Sequence, residues 1–396
     1  MKIAIIVRRL NVRGGTQRQA IELALRLQSS GNSVTLYTFK YEPKICFVSA
    51  LHNLKVIELK TESRQPAGYL KNLCLEQKKA KELAKLIDQD TEILNPHDQL
   101  SYKVAYYFKK QVKNIPSIWM MNDMPTKWPS FLREREVNPN LKIGLLKHLA
   151  YKLFDYYDTH KFIKAQNRIV VLDNRDRDWV RQFFGQTAEV VRSGLDISGF
   201  IFKARTVVRG EQIKILTTSI FFPHRRFEDT IEAISILKSK GFNLKFQIVG
   251  DFDSDKVYAD FTRRRIVELG LEHEVEIMGR VSDEELRFLY QSAHLFAFVS
   301  HMQSWGLAVF EAMATGLPII VSETTGAAEV LIDKKRALFV PPKSPKAIAG
   351  AIELLVGDPK LYHDLASNGR QFVEQNISWE KYTAKMLEIF RSELKR

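Results

Sequence analysis

Short apolar runs, each the length of a strand, alternate along this chain with longer stretches of helical period. Lys2 to Val7 is the first such run, followed by a loop holding Gly14 and Gly15. QRQAIELALRLQSSG comes next, and its apolar positions recur at helical spacing until Gly31. Runs at 33–39, 54–59, 91–97, 117–123 and 167–173 predict further strands between helical or irregular segments. The pattern restarts at 213–219 and continues through 244–250, 275–281, 294–300, 317–323 and 337–342. Alternation of this kind predicts a parallel sheet with helices on both faces, and its restart predicts two doubly wound α/β domains. The junction is expected within 190–212, a stretch with glycines, basic residues and no clear period.

Length agrees with that division, since 396 residues exceed the roughly 250–300 that one hydrophobic core organises. A formal charge of +14 favours an anionic partner: a phosphorylated small molecule, an acidic membrane surface or nucleic acid. Two cysteines, Cys46 and Cys74, sit in no metal-ligand spacing. MKIAIIVRRL is too short for a signal peptide, and no later window reaches ~18 uninterrupted apolar residues. The expectation is a cytoplasmic protein whose membrane contact, if any, is peripheral. The stretch from Lys127 to Arg168 interleaves basic residues with Trp128, Phe131, Tyr151, Phe154, Tyr156, Tyr157 and Phe162. It reads either as an interfacial helix pair for anionic lipid, or as helices with an aromatic core side and a solvated lysine side.

Candidate chemistry concentrates in VSHMQSWGLAVFEAMATGLPIIVSETTGAAEVL, residues 299–331. A glycine-containing loop feeds a helix near Gly306 and Leu307, and a buried strand then ends in small polar residues, where open α/β sheets bind ligands. The helix start suits a phosphate. Glu311, one side-chain length inside, would repel that phosphate, so its fitting partner is a neutral hydroxyl pair such as a ribose diol. Together these features point to a nucleotide.

This stretch, with the preceding EVEIMGRVSDEELRFLYQSAHLFAFVS and the following ALFVPPKSPKAIAGAI, resembles the retaining, nucleotide-sugar-dependent glycosyltransferases of family 4. The resemblance covers nearly the whole chain. It implies a GT-B fold: two Rossmann-like domains facing each other across a cleft, residues 1–200 on the acceptor side and 201–375 binding the donor, with 376–396 as a terminal helix crossing back. In the family's Glu-x7-Glu signature the second glutamate, which binds the donor ribose, matches Glu311. The first falls on Gln303, which keeps hydrogen-bonding capacity and loses the charge.

Further assignments follow from the resemblance. Arg225, in TTSIFFPHRRFEDTIEAI, falls on the family's lysine that neutralises the departing diphosphate; Ile220 replaces the usual upstream arginine, leaving Arg225 or Arg226 to supply the charge. Gly14 and Gly15 are carried over to the donor or acceptor loop. His97 falls where the family places a histidine facing the donor sugar, able to bond it or handle protons. Catalytic expectations are therefore His97, Gln303 and Arg225. The other donor contacts expected are Gly250, Arg280, Gly306, Leu307, Thr324 and Thr325, with Gly326 in the same phosphate-facing loop. Asn122 and Asp123, ending the run at 117–123, are expected to face acceptor hydroxyls.

The implied reaction moves a mannose- or glucose-type hexose from a GDP- or UDP-linked donor to a hydroxyl of a glycan or lipid-linked acceptor, with retention, no cofactor and no metal. Asp251-Phe-Asp253 has the spacing of a metal-binding Asp-x-Asp but lies where the family meets donor phosphates without metal. A nucleotide-sugar epimerase on the same fold and a catalytically silent homologue, the latter suggested by Gln303 and Ile220, remain open. Nucleic-acid binding rests on charge alone, with no recognition motif.

Overall fold

The computed structural model describes residues 1–60 and 69–396. The chain forms two compact units, Met1–Gly194 joined by Trp379–Arg396, and Leu195–Ser378. Each is built on a parallel sheet.

In the first unit the strands are β1 (Lys2–Val7), β2 (Ser33–Thr38), β3 (Lys55–Glu58), β4 (Ile93–His97), β5 (Ile118–Met120), β6 (Arg168–Val171) and β7 (Ala188–Val190), in the order β3-β2-β1-β4-β5-β6-β7. The second contains β8 (Ile213–Thr218), β9 (Leu244–Val249), β10 (Val275–Gly279), β11 (Leu295–Phe298), β12 (Ile319–Ser322) and β13 (Leu338–Val340), in the order β10-β9-β8-β11-β12-β13. Strands buried on both faces become apolar runs, which is why this sheet class shows in sequence. β7 escapes that rule. It is a three-residue edge strand bonded only to β6, and AEV carries no period.

Both sheets reverse their winding once, between β1 and β4 in the first unit and between β8 and β11 in the second. Helices leave opposite faces at such a point, so the loops diverge and open a crevice at the strands' carboxyl ends.

Helix Gly15–Ser29 packs its buried Ala20, Ile21, Leu23, Ala24 and Leu27 inward. The terminal helix Trp379–Leu394 belongs to this first unit and lies beside it, with Trp379, Tyr382, Met386 and Phe390 buried. Arg26 Nε donates to Glu380 at 2.9 Å, and Arg168 Nε to the buried Glu393 at 2.7 Å, tying both ends of that helix down. In the second unit the core runs from Ile213, Ile215 and Phe246 through Ile231 and Ile234 to Ile348, Ile352 and Leu365.

Candidate functional site

The loops after β8, β11 and β12 are knitted together at the carboxyl edge of the second sheet. His301 N donates to His224 O at 2.7 Å, and Gly326 N to Gln303 O and Ser304 O, both at 2.9 Å. Pro223–Arg225 forms a short 3-10 turn, and from it Arg225 Nη1 donates to Gln303 Oε1. The structure thus brings together two of the expected catalytic residues, one on each side of the switch point.

Gly306 takes a left-handed conformation, φ 73°, and starts helix Leu307–Ala314. A Cβ there would stand 3.0 Å from the Phe298 ring, so both the turn and the packing favour glycine. One turn inside, Glu311 Oε2 accepts from the Tyr290 hydroxyl at 2.9 Å, and that hydroxyl also bonds Thr218 Oγ1 at 3.1 Å. Tyr290 is fully buried, on helix Asp283–Ser292, and Thr218 ends β8. Glu311 is therefore held at the switch point by two residues that the motif does not contain. Sequence could have signalled Tyr290 only as a tyrosine on an otherwise apolar helix face, which reads as core.

Several expected contacts go elsewhere. Arg226, at φ 57°, turns its guanidinium onto Asp229 at 2.6 and 3.0 Å and onto Glu228 at 2.8 Å, so it is committed to its own helix start and leaves the charge to Arg225. Gly250 is a glycine for the fold: a Cβ would sit 1.7 Å from the Ser219 carbonyl oxygen, where the loops after β8 and β9 cross. The phosphate-facing role expected of 324–326 is not supported, because the loop consumes its own donors. Thr325 Oγ1 donates to Ser322 O at 2.9 Å, Thr325 N to the same carbonyl, and Gly326 N to Gln303 and Ser304. Thr324 Oγ1 accepts from Met302 N at 3.3 Å and lies 3.3 Å from His301 Nδ1. Helix start 306–307 is left as the anion-friendly end.

Arg280 is exposed and bonds Asp251 Oδ2 at 2.7 Å. Asp251 also accepts from Asp253 N and Ser254 Oγ. Burial raises its pKa, but Arg280, Ser254 and the Asp253 amide outweigh this and hold it below the usual carboxylate range. This carboxylate shapes its own loop.

At the first unit's switch point, Gly14 precedes helix Gly15–Ser29 after β1, and His97 closes β4 in register with Val7 and Met120. A Cβ on Gly14 would press on Gln17 Oε1 at 2.6 Å, whereas nothing of the protein lies within 4 Å of a Cβ on Gly15. The first contact is with the movable end of a flexible side chain, so packing against the protein requires glycine at neither position.

His97 is fully buried, and burial lowers its pKa to about 3. Asn95 Nδ2 donates to Ile118 O at 2.7 Å, so its Oδ1 is the acceptor facing His97 Nε2 at 2.9 Å. Nε2 then carries the proton and Nδ1 is a bare lone pair, buried and without a hydrogen bond. Of the two expected roles, hydrogen bonding and proton handling, burial of a neutral imidazole with an open Nδ1 lone pair favours the first. Asn122 Nδ2, after the adjacent β5, is likewise buried without a hydrogen bond. Asp123 departs from its expected acceptor role, since its carboxylate is engaged by Arg133 Nη1 at 2.9 Å, Gln99 Nε2 at 3.3 Å and Met124 N at 2.9 Å.

The geometry defines a two-unit, doubly wound α/β protein with polar and charged side chains gathered at both switch points. Residues 200–372 match the family described as glycosyl transferases group 1. The crystal structure of Anabaena Alr3699/HepE in complex with UDP and glucose superposes with a TM-score of 0.76 at 17% identity, covering 99% of this chain and 100% of that one. The fold is GT-B. Mannosylfructose-phosphate synthase of Agrobacterium fabrum is 22% identical over 95% of this chain and 86% of its own. The capsular polysaccharide biosynthesis glycosyltransferase CapM of Staphylococcus aureus is 29% identical over 39% of this chain. The match spans about two fifths of that relative's length, 40%.

Proposed function

We propose that the protein is a hexosyltransferase that moves a mannose- or glucose-type sugar from a GDP- or UDP-linked donor to a hydroxyl of a glycan or lipid-linked acceptor, retaining the anomeric configuration. The observation that carries the reading is the second switch point, where a cation on Gln303 and a carboxylate pinned by Tyr290 flank a helix start. A nucleoside diphosphate has matching parts: a diphosphate for Arg225 and the helix N–H groups, and a ribose diol for Glu311.

In this reading Arg225 and the helix start offset the charge that grows on the leaving diphosphate, a preorganised contribution of several kcal/mol. The reading invokes no metal, and Asp251 is bonded to Arg280 and to its own loop. In the first unit the neutral His97 Nδ1 is an acceptor suited to a sugar hydroxyl. Asn122 Nδ2 donates to an acceptor oxygen. Gln303, an amide, serves neutral sugar hydroxyls without needing charge.

The test is a thermal-shift screen over GDP, UDP, ADP and their mannose, glucose and N-acetylglucosamine conjugates, followed by measurement of nucleotide release with and without acceptor. Stabilisation by one diphosphate series with acceptor-dependent release is expected. Binding with no release across acceptors would make the protein a silent homologue, and sugar epimerisation without acceptor would make it an epimerase.

A further inference from the structure

We propose that helix Leu145–Asp158 docks the protein on an anionic lipid bilayer, lying in the plane of the headgroups. None of its residues is buried. Leu145, Leu146, Leu149, Leu153, Tyr156 and Tyr157 are all exposed, with Leu146 at 84% and Leu145 at 73%. At 3.6 residues per turn these six fall on one arc of about 120°. The helix is thus amphipathic with its apolar face turned to solvent, the reverse of what a core-facing helix shows.

The opposite face explains why. Asp155 accepts from Lys127 N and Trp128 N, both at 2.7 Å, capping helix Lys127–Val137, and the His148 ring meets Trp128 edge-on at 4.2 Å. Asp158 pairs with Lys103 at 2.8 Å and accepts from the Tyr102 hydroxyl. Both carboxylates of the helix are therefore turned inward and spent. Helix Lys127–Val137 buries Pro129 and Phe131 and acts as the support, so the interfacial pair expected from sequence reduces to one membrane-facing helix.

Charge selects the occupant. Lys147 and Lys152 flank the apolar arc, packed over the rings of Tyr151 and Trp128. With Lys142 and Lys164 they have no carboxylate partner among the described residues. Leucines penetrating the acyl boundary, tyrosines at headgroup depth and lysines without a carboxylate partner beside them suit an acidic bilayer better than a second copy, which would bring a like-charged rim. No helix among the described residues is long and apolar enough to cross a membrane, so the contact is in-plane. The supporting helix reaches the loop after β5, since its Arg133 is the partner of Asp123.

The experiment is co-sedimentation of the full chain with vesicles of equimolar phosphatidylglycerol and phosphatidylcholine, and with phosphatidylcholine alone. Binding to the first only is expected, falling steeply between ~0.1 M and ~0.5 M salt. Leu146→Glu/Leu153→Glu should weaken it about a hundredfold or more, and Lys147→Gln/Lys152→Gln about thirtyfold with a shallower salt dependence. Melting temperature and the nucleotide-induced shift should stay at wild-type values in both variants, so the outcome is independent of the donor reading. Absence of wild-type binding to acidic vesicles, or undiminished binding by the leucine variant, overturns the proposal. So does sedimentation equilibrium showing a dimer that these leucine substitutions dissociate, without vesicle binding; the face would then belong to a second copy.

Discussion

Replacing Tyr290 by phenylalanine isolates the positioning of Glu311. The ring contacts survive, with Phe296 at 5.9 Å and Phe200 at 6.0 Å, while the hydroxyl bonding Glu311 at 2.9 Å and Thr218 at 3.1 Å is lost. A hydrogen bond to a charged group contributes about 1.5–3 kcal/mol, and the partners here are half-buried and cannot be fully rescued by water. If a ribose diol donates to this carboxylate, the same range applies to each diol contact, or roughly 10- to 150-fold in affinity. Calorimetry with a ribonucleoside diphosphate and its 2′-deoxy and 3′-deoxy analogues reads it directly. Wild type should prefer the ribonucleotide by at least about tenfold. Glu311→Gln should bring the preference close to unity, and Tyr290→Phe should fall between because the carboxylate remains but is loosely held. A wild-type protein indifferent to the hydroxyls, or a preference untouched by Glu311→Gln, would refute the ribose assignment while leaving the fold argument standing.

Other positions test other links. Gly250→Ala forces a Cβ to 1.7 Å from the Ser219 oxygen, beyond what side-chain repacking relieves, and should cost about 3 kcal/mol or more and lower Tm by roughly 6–12 °C. Gly15→Ala, facing open space, should leave Tm within a degree or two of wild type and weaken ligand binding. Below its unfolded pKa near 6.5, His97 binds a proton when unfolded and not when folded, down to its folded value of about 3. Stability should therefore fall with pH through that window, by about 1.4 kcal/mol per unit relative to His97→Gln. Urea titrations of the two proteins at several pH values check this, and parallel curves would show that His97 is not held neutral. Gln303→Glu places a carboxylate against Arg225 and should weaken diphosphate binding roughly tenfold by neutralising the cation; unchanged or tighter binding would show that Arg225 is not the diphosphate's charge.

The sheets were legible because strands covered on both faces must be apolar, so β1, β8 and their neighbours stand out as runs. β7 did not, being three residues at an edge. Gln303, Arg225 and the Gly306 turn were placed by sequence because they lie in the loops that leave β11 and β8, and Glu311 because it lies one turn inside the helix that follows, so local spacing along the chain fixes position. What sequence could not supply was partnership at long range. Tyr290 holds Glu311 from another helix, and Asp229 withdraws Arg226. Ser219 imposes the glycine at 250, and the loop after β12 spends its own N–H groups on Ser322, Gln303 and Ser304. Each is a hydrogen bond or steric contact whose second member is unremarkable by type. The exposure of Leu145–Asp158 was hidden for the same reason: an amphipathic period states that one face is apolar, and only the inward turn of Asp155 and Asp158 states which way it points.

The two switch points divide the chemistry by charge. In the second unit the groups are ionic or dipolar: a guanidinium on an amide, a carboxylate under a tyrosine hydroxyl, and a helix start. In the first they are neutral, a histidine whose burial disfavours protonation and an asparagine amide with an unused donor. A neutral acceptor and a neutral donor, each buried without a protein partner, match sugar hydroxyls and would gain little from an anion. The ionic set matches a diphosphate and a diol. Gln303 fits this division better than a glutamate would. With Ile220 in place of a second cation and Arg226 committed to Asp229, Arg225 is the one cation the β8 loop directs to this site. An amide can orient it without cancelling its charge, where a carboxylate would hold it more tightly and leave less field for the leaving group.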